Sequence, residues 1–350
     1  MRYRAVIVGC GRKAATIDDE ERCRINYSIP PDAHASAYAA MPRVALVAAA
    51  DPNESKRRLM QERWKLPAVY DDYREMLARE QPDLVSVTTR ASLHAEVTLA
   101  AAATGAKGVL CEKAMAISLT EADAMIDACR GAGAKLVVNH TRRWHPTYER
   151  AAQALRDGVL GQLRCIMGTC PGPLIHNGTH LFDLMRLFGG DVAWVSGQVN
   201  PGLTEDAPGR AMLAFANGAA GFVDLDGSLG LAVELQGSEG RLFIDSAEDG
   251  FDLWEYRAPA RVSAGRAWYQ GGPCRQRASR RLSGGTGAGT LIAAIEELIA
   301  CIEEGRESRS GGTEGRAALE LALAVYRSHA TGGARVRLPL QDRTLTVRSR

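Results

Sequence analysis

The first residues that could do chemistry lie near the start of the chain. Gly9-Cys10-Gly11-Arg12-Lys13-Ala14 has the spacing G-x-G-x-x-A and follows an apolar run at residues 4–8. Glycines so spaced permit a tight turn and let backbone N–H groups come close to a pyrophosphate. A glycine-rich turn that binds nothing reads the same in isolation, so the position of the motif decides. Lys13 could reach a phosphate, although a solvated face also accounts for it. Asp51 ends the next apolar run, where a carboxylate can accept hydrogen bonds from a ribose diol and repel a 2′-phosphate. Asp51-Pro52-Asn53 also reads as a strand-ending turn that caps the next helix, and the two readings are compatible. The acid favours NAD, while Lys56 and Arg57 stand close enough to tolerate the extra phosphate of NADP. From Gly9 to Asp51 is about twice the usual ~20 residues. The surplus at residues 18–32 is polar, carries Pro30-Pro31, and reads as an insertion beside the cofactor mouth.

His176 and His180 are four residues apart, which on a helix puts both on one face and would suit a pair of metal ligands. No H-E-x-x-H pattern or nearby carboxylate and cysteine set completes such a site, and Pro173 and Gly178 put His176 in the loop before the helix. No metal is expected. His176 and Asn177 are candidate substrate contacts instead. Asp183, about a turn after His180, could orient that histidine, bind a substrate hydroxyl, or simply solvate its helix. His34, His140, His145 and His329 are assigned no chemistry. The eight cysteines form no CxxC and no metal-ligand spacing, which fits reduced thiols of a cytoplasmic protein.

These residues need elements to hold them. Over the first 140 residues, strand-like runs at 4–8, 44–50, 83–89, 108–111 and 135–139 alternate with helix-like stretches at 54–64, 92–104 and 120–130. Thr120 followed by Asp123 resembles a capping box at the start of the last. Such alternation predicts an N-terminal Rossmann domain, a doubly wound parallel sheet with right-handed crossovers. The glycine loop then falls at the first strand-to-helix junction, where a dinucleotide needs it. Beyond about residue 160 the pattern turns strand-rich, at 163–168, 194–199, 211–216, 220–225, 232–236 and 241–244, with hairpin signals at Asn217-Gly218 and Glu239-Gly240. A C-terminal α/β domain with a large, mostly antiparallel open sheet is expected, followed by helices at 290–304 and 315–330. The basic, glycine-rich segment 276–289 reads as a mobile loop. The division is placed at residues 1–142 and 143–350.

Bulk properties agree. At 350 residues the chain suits roughly two domains of ~150 residues. Hydrophobic residues at 46% and charged residues at 24% are the balance of a folded globular chain. Lys plus Arg number 43 against 41 Asp plus Glu, so the formal charge of +2 supplies no field for nucleic acid. Neither a signal peptide nor an apolar run near the ~20 residues of a membrane span is present, so neither export nor a membrane partner is expected.

Collinear motifs add a resemblance that covers nearly the whole chain. The glycine loop at 9–14, Thr88-Thr89 through His94, Cys111-Glu112-Lys113, Arg142-Arg143-Trp144, Gly178-Thr179-His180-Leu181-Phe182-Asp183 and Gly312-Thr313-Glu314-Gly315-Arg316-Ala317-Ala318-Leu319-Glu320 occur in the order seen in the Gfo/Idh/MocA oxidoreductases. That family is named for glucose–fructose oxidoreductase and inositol dehydrogenase. The resemblance implies hydride transfer between a nicotinamide cofactor and a ring hydroxyl of a sugar, cyclitol or sugar derivative. Such a reaction needs a base for the hydroxyl proton and a group that stabilises the developing oxyanion. Lys113 and His180 match the family's catalytic lysine and histidine. Thr88, Thr89, His94 and Glu112 match positions lining the dinucleotide, and Arg143 and Trp144 sit where a substrate would be gripped, although an interdomain salt bridge accounts equally for the arginines. Two departures stand out: Glu112-Lys113-Ala114 lacks the family's proline, and His176 stands where an Asp often precedes the catalytic histidine by four residues. Two other readings are an NAD-dependent glycosidase working by transient oxidation, elimination and reduction, for which His176 would suit an added base, and a non-catalytic sugar- or nucleotide-sensing regulator. A homodimer or homotetramer, joined through the exposed sheet face, is expected.

Overall fold

The computed structural model describes residues 2–20, 30–200, 206–227, 230–246, 250–257, 276–283 and 289–349. Two sheets organise them. The first contains β1 (Tyr3–Val8), β2 (Val44–Ala50), β3 (Ala68–Tyr70), β4 (Leu84–Val87), β5 (Gly108–Cys111) and β6 (Lys135–Val138) in the order β3-β2-β1-β4-β5-β6. Every pairing in it is parallel. This is the doubly wound order of a dinucleotide-binding domain. Its strands read as near-continuous apolar runs because helices cover both faces.

The helices α1 (Arg12–Ala15), α2 (His34–Ala39), α3 (Glu54–Trp64), α4 (Tyr73–Glu80), α5 (Ala91–Ala103) and α6 (Leu119–Ala132) connect these strands. The glycine loop opens only one helical turn. A 3-10 turn at Ile17–Asp19 follows, and regular helix resumes at His34, so the insertion interrupts the first crossover rather than extending it. The helix start expected at Thr120 lies a little earlier. Ser118 is the cap, accepting the Glu121 N–H at 3.2 Å, while Glu121 accepts the Ile117 N–H at 3.1 Å.

After α7 (Pro146–Arg156) come β7 (Leu163–Thr169), α8 (Gly178–Gly189), β8 (Val192–Val199), β9 (Gly209–Phe215), β10 (Ala220–Asp224), β11 (Ala232–Gly237), β12 (Gly240–Asp245), β13 (Phe251–Arg257) and β14 (Gln276–Leu282). Two long helices, α9 (Thr290–Glu304) and α10 (Gly312–Ala330), precede a short last strand, β15 (Val336–Arg337). The second sheet runs β14-β13-β12-β11-β7-β10-β9-β8-β15, and only β7 with β10 pair in parallel. The expected loop at 276–289 is therefore corrected in its first half, which is an edge strand. Its polar sequence hid it: Arg280 and Arg281 pair with Glu255 and Asp252 of β13, the charged treatment that keeps an edge from recruiting another strand. Residues 284–288 of that segment lie outside the described residues.

The two halves share one core. Val85, Val87 and Val109 of the first sheet join a cluster that continues through Leu181 and Phe182 of α8 to Leu213, Leu235 and Leu319. On the opposite face of the parallel sheet, Ala5, Ile7 and Leu110 pack with Tyr38 of α2 and with Leu291, Ile295 and Leu298 of α9. Helix α9 thus belongs by packing to the first sheet although it follows the second in the chain. Among the described residues no helix is long and apolar enough to cross a membrane.

Candidate active site

The residues singled out by sequence converge because the first sheet is parallel. Gly9, Asp51, Thr88 and Glu112–Lys113 follow β1, β2, β4 and β5, so all lie at the same carboxyl edge, and His140, to which the sequence assigned no chemistry, joins them after β6. A crevice at that edge is where open α/β sheets bind ligands.

At the loop, Gly9 has φ +96°, and a Cβ there would lie 2.9 Å from the Thr88 carbonyl oxygen. A Cβ on Gly11 would meet nothing within 4 Å among the described residues, which leaves the backbone open to a group arriving from outside. Asp51 is buried, and its carboxylate accepts the Cys10 N–H at 2.8 Å and the Asn53 N–H at 2.9 Å. The acid and the glycine loop are thus one unit. The Thr88 hydroxyl donates at 2.8 Å to the Gly9 carbonyl. Arg12 pairs with Glu20, and Ala14 is buried in the core. Lys13 is not a solvated lysine: its ammonium donates at 2.9 Å to the Asp32 carbonyl, and its charge bears on Glu112. The Cys10 thiol is pushed up to about 12 by burial, with Asp51 adding to the effect. Open glycine backbone, a carboxylate at the second strand end and the absence of side-chain bulk at Gly11 fit a dinucleotide.

Glu112 leads into a buried network that sequence reading missed. Its Oε1 lies 3.0 Å from His34 Nε2 and accepts from Asn139 Nδ2 at 2.7 Å. His34 Nδ1 lies 2.9 Å from Ser86 Oγ, which lies 2.7 Å from the Tyr38 hydroxyl. One assignment satisfies Tyr38, Ser86 and both ring nitrogens of His34: Tyr38 donates to Ser86, Ser86 to Nδ1, and Nε2–H to the carboxylate. Burial would raise the Glu112 carboxyl, but the charge of Lys13 and the donors His34 and Asn139 hold it far below the usual carboxylate range. Burial likewise depresses His34.

His94 is buried behind these loops, its Nδ1 2.8 Å from the Ala114 carbonyl and its Nε2 3.1 Å from the Thr89 carbonyl. It ties the segment after β4 to the segment after β5. The loop that lacks the family's proline is therefore held by a side chain.

Lys113 donates to the backbone carbonyl of His176 at 2.6 Å. Burial lowers its pKa, Glu112 opposes that, and Lys13 adds to it. The carbonyl is itself fixed: Asp206, 5% exposed, accepts the N–H groups of Ile175 and His176 at 2.9 and 2.8 Å. The Tyr326 and Ser349 hydroxyls donate to the same carboxylate at 3.1 and 2.7 Å. No motif announces Asp206, because it works from another strand's approach. Asn177 donates to the Pro171 carbonyl at 2.6 Å and so shapes the loop.

His180, at the start of α8, is half-buried, with its Nδ1 sealed and without a hydrogen-bond partner among the described residues. Burial, then Arg142, Lys113, His140 and His176, hold its pKa well below the ordinary value of 6.5. No carboxylate is among these influences. Asp183 does not orient His180. It is fully buried and accepts from Arg143 Nε at 2.9 and 2.8 Å, with His140 Nδ1 at 3.4 Å. Arg143 also donates to the Arg309 carbonyl at 2.6 Å, which makes it a bridge between elements. The expectation of a substrate contact from Trp144 is corrected too: its ring is 4% exposed, packs in the core beside α9 and lies under Arg309 at 4.8 Å. The neighbouring Arg142 is the member of that motif whose charge reaches His180. Among the described residues no group of three or more His, Cys, Asp or Glu side chains is arranged to hold a metal ion.

Comparison with known proteins fixes the family. Residues 28–140 match the oxidoreductase family described as having an NAD-binding Rossmann fold, and residues 168–338 match the same family's C-terminal alpha/beta domain. The chain belongs to the Gfo/Idh/MocA oxidoreductases. As a member it is an oxidoreductase with NAD as its cofactor. Among its relatives, D-apiose dehydrogenase of Paraburkholderia graminis is 24% identical over 95% of this chain and 88% of that protein. Myo-inositol 2-dehydrogenase of Thermotoga maritima is 26% identical over 58% of this chain and 69% of its own. Levoglucosan dehydrogenase in complex with NADH superposes with a TM-score of 0.79 at 20% identity, over 97% of this chain and 100% of that one. The aldose-aldose oxidoreductase from Caulobacter crescentus, complexed with glycerol, gives 0.77 at 22%, over 97% and 100%. This Gfo/Idh/MocA member shares that two-sheet fold across its length.

Proposed function

We propose that this oxidoreductase is an NAD-dependent dehydrogenase of a ring hydroxyl on a sugar or cyclitol, with Lys113 and His180 as its catalytic residues. The observation that carries this reading is the environment of His180: an imidazole surrounded by Arg142, Lys113 and two further histidines, with no carboxylate among them, is kept neutral and ready to accept a proton. The relatives' names supply the substrate class. NAD, when bound, supplies the ring that accepts a hydride from the substrate carbon. Gly9, Cys10, Gly11, Arg12, Lys13 and Ala14 would hold its phosphates, Asp51 its ribose, and Thr88, Thr89, His94 and Glu112 would support the dinucleotide from below. His180 takes the hydroxyl proton through Nε2, because Nδ1 is sealed. The Lys113 ammonium, aimed by the His176 carbonyl, stabilises the oxyanion that develops. His176 and Asn177 flank the substrate. The domain division proposed is 1–142 and 143–350, with α9 returned to the first sheet. Six described cysteines are free thiols, which supports a cytoplasmic setting.

A panel of sugars and cyclitols, assayed for reduction of NAD and NADP, tests the reading; turnover of none with either cofactor would sink it. Asp51→Ala should cut the preference for NAD over NADP about tenfold, the scale of hydrogen bonds to a charged group, as read from the two dissociation constants. Equal preference before and after would remove Asp51 from the ribose.

Association is proposed through the outer face of the second sheet. Met167, Phe222 and Met212 are 46%, 43% and 39% exposed and lie side by side across β7, β10 and β9. Such a contiguous apolar row calls for a cover. Light scattering at micromolar concentration should give a dimer or tetramer, and Phe222→Asp should shift it toward monomer; a monomeric wild type would refute the interface.

A further inference from the structure

The side chain left over by this mechanism is His140. It follows β6, is 1% exposed, and neither ring nitrogen has a hydrogen-bond partner among the described residues. Its ring meets that of His180 edge to face, with centroids 5.8 Å apart and planes at 73°. Asp183 Oδ1 lies 3.4 Å from its Nδ1. We propose that His140, backed by Asp183, is a positioning residue for His180: it takes the first proton that this pair of imidazoles accepts and thereby keeps the His180 ring neutral. The proposal rests on His180 being the base, as above.

Geometry separates the two rings. Two imidazoles in contact, one buried and one half-buried, repel each other when both are charged, so the first proton goes to the one whose surroundings best stabilise it, and the second is resisted. His140 has a carboxylate beside it, and that carboxylate is immobilised by Arg143. His180 has none. The charged and titratable groups acting on His180 are Arg142, Lys113, His140 and His176, all opposing its protonation. Burial holds His140 too below its ordinary range, but the charges acting on it are mixed: Asp183 and Glu112 favour its charged form, Arg143 and Lys113 oppose it. An imidazole that served only as packing would fill the same space without ordering the protons.

Histidine ring signals of the apoprotein, labelled with 15N histidine, decide between these. The seven histidines are assigned by single His→Gln substitutions and followed as pH is lowered. Wild type should protonate His140 before His180. In His140→Phe, which keeps an aromatic ring in the contact, and in His140→Gln, which keeps polarity, His180 should accept its proton at a pH higher by about 0.5 or more, the effect of removing a like charge at contact. The acid limb of kcat/KM should move up by the same amount. His180 protonating first in wild type, or an unmoved His180 midpoint in both variants, overturns the proposal. The order in wild type decides even where a variant is unstable. Near-normal turnover in His180→Ala would instead overturn the choice of base and leave the order of protonation standing.

Discussion

Lys113→Ala and His180→Ala are each expected to lower turnover about 100-fold or more, the usual scale for a lost acid–base group, while NAD affinity changes little. The two side chains come from opposite halves of the fold. Lys113 follows β5 at the carboxyl edge of the parallel sheet, and His180 starts α8 against the second sheet. They meet through the loop before α8, where Lys113 holds the carbonyl of His176. Since that contact uses backbone, His176→Ala should be milder than either. Steady-state kinetics with a substrate from the panel separate the cases. Near-normal turnover in both the Lys113 and His180 variants would end the assignment. The pH profile offers a second check: a base depressed by burial and four neighbouring groups stays neutral as pH falls through the ordinary histidine range, so the acid limb should lie below 6.5.

What could be read in the sequence is what repeats or recurs along the chain. Strand β2 and helices α3 and α9 were expected at the positions observed, because long apolar periodicity survives tertiary context. The parallel arrangement of the first sheet followed from strand–helix alternation, and the pair proposed as catalytic from motifs in collinear order. Four things stayed hidden for physical reasons. β14 has no apolar alternation, since an edge strand dressed in arginine carries no core face. His34 and Ser86 look like ordinary polar residues, and only folding brings them to Glu112, 78 and 26 positions away in the chain. Asp206 serves a loop some 30 residues earlier through backbone N–H groups, which leave no side-chain signature. Arg142, Arg143 and Trp144 are adjacent in sequence yet face different neighbours, because the 3-10 turn Thr141–Trp144 fans its side chains around the axis. A motif thus marks a place in the fold without dividing the labour within it.

The glycine loop permits a separation that few sites allow. Gly9→Ala is expected to reduce both thermal stability and NAD affinity, whereas Gly11→Ala should leave stability nearly unchanged and still weaken NAD. At Gly9 the backbone is left-handed, φ +96°, and the added Cβ would stand 2.9 Å from the Thr88 carbonyl oxygen and 3.0 Å from its carbon. Those atoms are backbone of the segment after β4 and cannot rotate away. The conformation costs about 1–2 kcal/mol for a residue bearing a Cβ, and the overlap adds a further 1–3 kcal/mol or so. The melting temperature should fall by several degrees. At Gly11, with φ −80°, the backbone is one that alanine adopts without strain, and the new methyl meets no atom of the described residues within 4 Å. The folded state gains no clash there. The methyl instead projects into the approach that a pyrophosphate needs to reach the loop N–H groups, so the dissociation constant for NAD should rise about tenfold or more, the loss of one charge-assisted hydrogen bond. Calorimetric titration with NAD and a thermal melt of each variant test both halves. Unchanged NAD affinity in Gly11→Ala would move the phosphates off this loop, whatever the stability of the protein.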